Sequence, residues 1–139
     1  NVADVTAKLS RAKRLQVGCI VVKDDAIISQ GWNGTPRGFD NNCEDEIDPS
    51  KPSTVDNLKT KEIVIHAEIN ALAKIAKGTH SSNNAVMFST HSPCFDCSKA
   101  IIQSGIKTVY FKEKFRNDKP INFLKDANVE VIQYESETV

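Results

Sequence analysis

The sequence predicts an α/β protein, a three-layer α/β/α sandwich on a mixed five-stranded sheet with helices on both faces. Three observations predict it. From residue 65 onward, helix and strand signals alternate as α-β-α-β-α-β, the pattern of parallel strands joined by covering helices. Before residue 33, two Val- and Ile-rich segments flank Asp24-Asp25 and read as an antiparallel hairpin. Finally, 139 residues, 40% of them apolar and 26% charged, suit one domain spanning 1–139 that folds without disulfide staples.

Residues 2–13 are expected to form the first helix, 16–23 a buried strand and 26–32 its hairpin partner. Between 33 and about 61 the pattern breaks. Pro36, Pro49 and Pro52, with the acidic run Glu44, Asp45, Glu46 and Asp48, predict a long loop, of a length usually kept for function or motion. A helix over 65–77 ends at Gly78 and a strand follows at 85–89. A helix over 93–104 ends at Gly105, followed by a strand at 108–112, a short helix at 122–126 and a last strand at 129–134. The sequence contains no internal repeat and no low-complexity tract.

Eighteen basic and eighteen acidic residues cancel, which argues against a protein that coats nucleic acid by bulk electrostatics. The longest apolar runs, such as 19–22, are strand-sized and far from the ~20 residues of a bilayer helix. No signal peptide is legible, and the start at Asn1 without Met leaves room for an upstream piece. Four cysteines, two of them in a CxxC pair, read as metal or redox chemistry in a reducing compartment, so a cytoplasmic protein is expected.

The chemistry gathers at two helix starts. His66-Ala67-Glu68 opens one predicted helix and Pro93-Cys94-Phe95-Asp96-Cys97 opens the next. Cysteines at i and i+3 share a helix face, and the positive end of the helix favours their thiolates. His66 supplies a third ligand, and a Cys2His set leaves one tetrahedral position open for water, as in catalytic zinc sites. A structural zinc is disfavoured because no fourth ligand has matching spacing; Cys43 lies alone in the loop. Residues two apart on a helix point to nearly opposite sides, so His66 and Glu68 must bracket a site off the helix end. Two helix N-termini are therefore expected to converge on the metal, with Glu68 beside the activated water. H-x-E…P-C-x-x-C is the signature of the zinc nucleobase deaminases, which attack C4 of cytosine with a metal-activated water and a glutamate acid–base.

Beyond those two motifs, the segments 10–18 (SRAKRLQVG), 31–38 (GWNGTPRG), 92–97 (SPCFDC) and 103–110 (QSGIKTVY) give a resemblance over nearly the whole chain. They are similar to the deoxycytidylate (dCMP) deaminase family, particularly its phage-like members. The resemblance implies the cytidine-deaminase-like version of the sandwich and one catalytic zinc ion per chain on His66, Cys94 and Cys97. It implies hydrolysis of dCMP to dUMP and ammonia with Glu68 as acid–base, supplying dUMP for thymidylate synthesis. It also places Asn33, Ser10, Arg14, Ser92, Phe115 and Arg116 at the substrate. Asn33 would take the deoxyribose hydroxyl, and Arg14, four residues after Ser10 near a helix end, the phosphate.

Family members are typically hexamers activated by dCTP and inhibited by dTTP. The matching effector segment supplies Gly31, Trp32, Asn33, Gly34, Arg37 and Gly38. A homo-oligomer in the cytoplasm, or in the host cytoplasm if phage-encoded, is expected, without membrane or nucleic-acid partners. Three residues depart from the family's usual choices: Trp32 for Tyr, Ala12 for Cys, and Phe115 for a Tyr found in some relatives. The competing reading keeps the zinc core but changes the substrate, to a tRNA adenosine or to free cytosine or cytidine. A zinc-stabilised nucleotide sensor without activity is disfavoured because it would not need Glu68.

Overall fold

The computed structural model describes residues 1–115 and 117–135. A five-stranded sheet forms its centre, its strands lying in the order 26–32, 18–23, 86–91, 108–113 and 130–133. Strands β1 (Gly18–Lys23) and β2 (Ala26–Trp32) make the predicted antiparallel hairpin, turning on Asp24 and Asp25, both at positive φ. β5 (Val86–His91) lies antiparallel to β1, while β6 (Thr108–Glu113) and β7 (Glu130–Gln133) run parallel to β5. The mixed sheet follows from the connections. A two-residue turn reverses the chain, whereas α3 (Phe95–Gln103) and α4 (Lys119–Asp126) carry it back for parallel pairing.

The helices are unevenly shared between the two faces. α2 (Ala67–Ala76), α3 and α4 cover the face where Cys19, Val21, Met87 and Val109 point, closing a core with Ala71, Ile101 and Leu124. The short α1 (Val2–Ala7) packs on the other face. Two glycines set how closely these helices sit. A Cβ on Gly18 would meet the Ala3 carbonyl oxygen at 2.2 Å, and one on Gly31 would meet the Ala67 carbonyl oxygen at 2.4 Å. Both helices therefore lie directly against strand backbone. Among the described residues, no helix is long and apolar enough to cross a membrane.

Three expectations are corrected. The first helix ends at Ala7, not at 13. The next backbone bonds reach back only three residues, and the Ser10 hydroxyl then takes the Ala12 N–H while donating to the Asn33 carbonyl at 2.7 Å. Ser10 and Arg14 thus lie in the irregular segment between α1 and β1, not on a helix. The 33–61 segment is not merely a loop. It contains a small antiparallel sheet of β3 (Glu44–Glu46) and β4 (Leu58–Thr60), with one 3-10 turn at Val55–Asn57. Asn57 pins it from within, accepting the Asp48 N–H at 3.0 Å and donating to the Asp48 carbonyl at 2.8 Å. α4 also begins at Lys119 rather than 122, with Pro120 in its first turn, where a missing N–H costs nothing.

Candidate active site

His66 and Cys94 occupy the same local position in two helices. Each is the N-cap, with extended backbone, of α2 and α3 respectively. Cys94 Sγ accepts the Cys97 N–H at 3.4 Å, so a sulfur takes the role usually given to a capping oxygen. His66 Nδ1 lies 3.3 Å from Cys97 Sγ and 3.4 Å from Cys94 Sγ. All three donor atoms lie within 4.8 Å of one another. In a tetrahedral zinc site, metal–nitrogen and metal–sulfur bonds of standard length separate N from S by about 3.6 Å. The donor set fits such an ion. Its electrostatics agree: a hydrogen bond from the Cys97 thiol, helped by His66 and the Cys97 N–H, draws the Cys94 thiol down to about 4. That same bond, together with burial, pushes the Cys97 thiol up.

Glu68 sits in the first turn of α2, beside these donors, and is only 4% exposed. Ser89 Oγ donates to its Oε1 at 3.2 Å. Burial pushes its carboxyl above the ordinary carboxylate range, against the lowering pull of Cys97 and His66. A carboxyl so placed is suited to carry a proton in part of a reaction cycle and release it in another.

These groups open into a cavity of about 570 Å3. Its walls also carry a polar set formed by Arg14, Glu44, Lys59 and Thr60. Of the expected substrate residues, Asn33, Arg14, Ser92 and Phe115 line it. Ser10 does not: it is buried, with its hydroxyl committed to the Asn33 carbonyl and the Ala12 N–H. The Asn33 amide is engaged too. Its Oδ1 accepts the Val17 N–H at 2.9 Å and its Nδ2 donates to the Leu15 carbonyl at 2.7 Å, tying the 8–17 segment to the end of β2. Ser92 and Phe115 hold each other, with the Phe115 N–H donating to Ser92 Oγ at 2.7 Å. Arg116 lies outside the described residues.

The six expected effector residues divide differently. Only Asn33 lines this cavity. Gly31 is packed under α2. Gly34 pairs with Ile65 through two backbone bonds, and the Lys74 ammonium stands 4.0 Å over the Trp32 ring. Arg37 and Gly38 are exposed.

His91, Glu44 and Thr60 line the cavity without having been singled out from sequence. His91 had a usable signal, since it stands directly before Ser92-Pro93-Cys94. It is tied on both sides: Thr90 Oγ1 lies 2.8 Å from its Nδ1, and Glu113 lies 3.1 Å from its Nε2. With Nε2–H donating to Glu113, Nδ1 accepts the Thr90 hydroxyl, which itself accepts the Gly18 N–H at 3.1 Å. Glu44 had no such signal, being one acid among several in the segment expected to be a loop.

The family profile of the cytidine and deoxycytidylate deaminase zinc-binding region matches residues 1–113. The chain belongs to the cytidine and deoxycytidylate deaminase family. Among relatives, the deoxycytidylate deaminase of Schizosaccharomyces pombe is 35% identical over 136 residues. That match covers 95% of this chain and 41% of the yeast protein, so the chain spans less than half of that relative's length. The deoxycytidylate deaminase of Enterobacteria phage T4 is 32% identical, covering 94% of this chain and 84% of its own. The crystal structure of dCMP deaminase from the cyanophage S-TIM5, in complex with dCMP and dUMP, superimposes with a TM-score of 0.84 at 42% identity. There the match covers 96% of this chain and 91% of the cyanophage one. The cytidine-deaminase-like sandwich expected from the sequence is thus the fold of this family member.

Proposed function

We propose that this chain, as one domain over 1–139, hydrolyses dCMP to dUMP and ammonia, with zinc held by His66, Cys94 and Cys97. The observation that carries this reading is the convergence of those three donor atoms within 4.8 Å, beside the buried Glu68 and in a cavity that also holds Arg14. A bound zinc ion supplies the Lewis acidity that makes water nucleophilic near neutral pH. The chain's own residues do the rest. Glu68 takes the proton of the attacking water, passes it to ring N3, and later delivers a proton to the departing ammonia. Ser89 holds the Glu68 carboxylate through its Oε1. Arg14 takes the 5′-phosphate through paired guanidinium N–H groups. Asn33 keeps one amide proton and one lone pair beyond its two backbone bonds, enough for a deoxyribose hydroxyl. Phe115, braced by Ser92, forms an apolar wall for the base.

The family resemblance extends the reading to regulation. Activation by dCTP and inhibition by dTTP would act in a cytoplasmic homo-oligomer, a hexamer, through Trp32, Gly34, Arg37 and Gly38. The test is ammonia release from a panel of dCMP, dCTP, cytidine, cytosine and tRNA by the zinc-loaded protein, with and without dCTP and dTTP. Preferential turnover of dCMP, raised by dCTP and lowered by dTTP, supports the reading. Faster turnover of any unphosphorylated substrate overturns the dCMP assignment, and identical rates with and without the triphosphates overturn the regulation.

A further inference from the structure

Arg14 reaches the cavity from the irregular segment between α1 and β1, which does not by itself fix an arginine. Two residues of the small sheet do. Glu44 and Thr60 stand opposite each other across β3 and β4. Glu44 Oε1 accepts the backbone N–H groups of Lys13 and Arg14, at 2.7 and 3.1 Å. The Thr60 hydroxyl accepts from the Arg14 guanidinium at 3.1 Å. One cross-strand pair therefore grips both the backbone and the head of Arg14. The Glu44 half of the grip is anchored in the interior, whereas the Thr60–Arg14 bond is exposed. Glu44 is 4% exposed, and its Oε2 is buried with no hydrogen-bond partner among the described residues. The pair is itself braced, because the Lys61 N–H donates to the Cys43 carbonyl at 2.8 Å just beyond it. Among the described residues, Thr60 uses one of the five guanidinium N–H groups, so a phosphate-sized pair of donors remains.

We propose that Glu44 and Thr60 are positioning residues that act through Arg14 to make the cavity select a phosphorylated nucleoside over the bare nucleoside. This rests on the reading of the cavity as a dCMP site. The prediction is specific to the phosphate: loosening the grip weakens every ligand that carries one and spares those that do not.

The test measures kcat and KM for dCMP, and competitive inhibition by dUMP and by deoxyuridine, in zinc-loaded R14A, E44A, E44Q, T60V and the R14A/E44A double variant. R14A is expected to raise KM for dCMP and weaken dUMP by roughly 10-fold or more, leaving deoxyuridine unchanged. E44A gives the same selective loss with kcat near wild type, and adds less than about twofold in the R14A background, because the two act as a unit. E44Q keeps an oxygen acceptor for both N–H groups and recovers most of the loss, whereas T60V shows a smaller loss of the same kind. Equal weakening of dUMP and deoxyuridine in E44A, or a loss that multiplies that of R14A, overturns the proposal. If R14A leaves dCMP and dUMP unaffected, the phosphate role of Arg14 fails as well. If R14A loses selectively while E44A and T60V do not, only the positioning role fails. Should E44A not fold, T60V decides: a selective loss supports the proposal, and an equal or absent one overturns it.

Discussion

Ser89 Oγ, on the sheet, donates to Glu68 Oε1, on the helix above it, at 3.2 Å. Both residues are buried, so solvent does not replace this bond when it is lost. A hydrogen bond to a carboxylate contributes about 1.5–3 kcal/mol. Ser89→Ala is expected to lower kcat for dCMP by about 10- to 100-fold while zinc content stays at one per chain. Because the Ser89 bond also pulls the Glu68 carboxyl down, its loss moves the acidic limb of the kcat–pH profile upward. An unshifted profile counts against Ser89 as the residue that orients Glu68.

Glu68 itself touches chemistry rather than structure in this account. Glu68→Gln keeps the volume and the Ser89 contact but loses the transferable proton. General acid–base catalysis is worth about 10²–10⁴-fold, and the variant's turnover should fall by at least that much. Zinc content and thermal midpoint, measured on the same preparation, are expected to match or exceed wild type, since a buried ionisable group has been removed. A variant with near-normal turnover rejects the acid–base role.

Gly31 separates a packing role from a ligand role. Its added Cβ would meet the Ala67 carbonyl oxygen at 2.4 Å and the Ala71 nitrogen at 2.5 Å, both α2 backbone atoms that have little room to yield. Gly31→Ala should destabilise the fold by about 1–3 kcal/mol in urea unfolding. It should also weaken zinc retention, because α2 carries His66 at its N-cap. Unchanged stability together with altered nucleotide regulation would return Gly31 to the effector segment.

His91 predicts how stability varies with pH. Burial holds its imidazole below the ordinary value of 6.5, only partly opposed by Glu113. The folded chain thus prefers neutral His91, while the unfolded chain binds a proton first as pH falls. The His91 contribution is full above about pH 6.5, is lost as pH drops toward the folded value, and does not recover below it. The urea midpoint of wild type should therefore fall more between pH 7.5 and 5.5 than that of His91→Gln. Parallel curves for the two proteins would show that His91 does not titrate differently on folding.

Much of this was legible in the chain, for identifiable reasons. The hairpin at Asp24-Asp25 was legible as two Val- and Ile-rich segments around a turn, and the β5–β7 strands as short apolar segments alternating with helices. The convergence of His66, Cys94 and Cys97 was legible because all three sit at helix starts. The first helix was overextended since Lys8 to Arg14 contains no Gly or Pro, and what stops it is a distant partner, the Asn33 carbonyl on the Ser10 hydroxyl. The small sheet at 44–60 was hidden because its strands are three residues each and charged, too short to show a period. The working state of Asn33 was likewise invisible: its amide looks like a ligand group in sequence, yet it binds Val17 and Leu15 backbone, contacts set by tertiary structure alone.

The central claim is that water attacks C4 of dCMP between the His66, Cys94 and Cys97 donors and Glu68. Its most direct test is to incubate zinc-loaded protein with dCMP in water enriched in heavy oxygen and to weigh the product by mass spectrometry. The expected product is dUMP carrying one heavy oxygen at C4, formed with one ammonia and abolished by chelation until zinc is returned. No conversion by the zinc-loaded protein, or dUMP without the label, would contradict it.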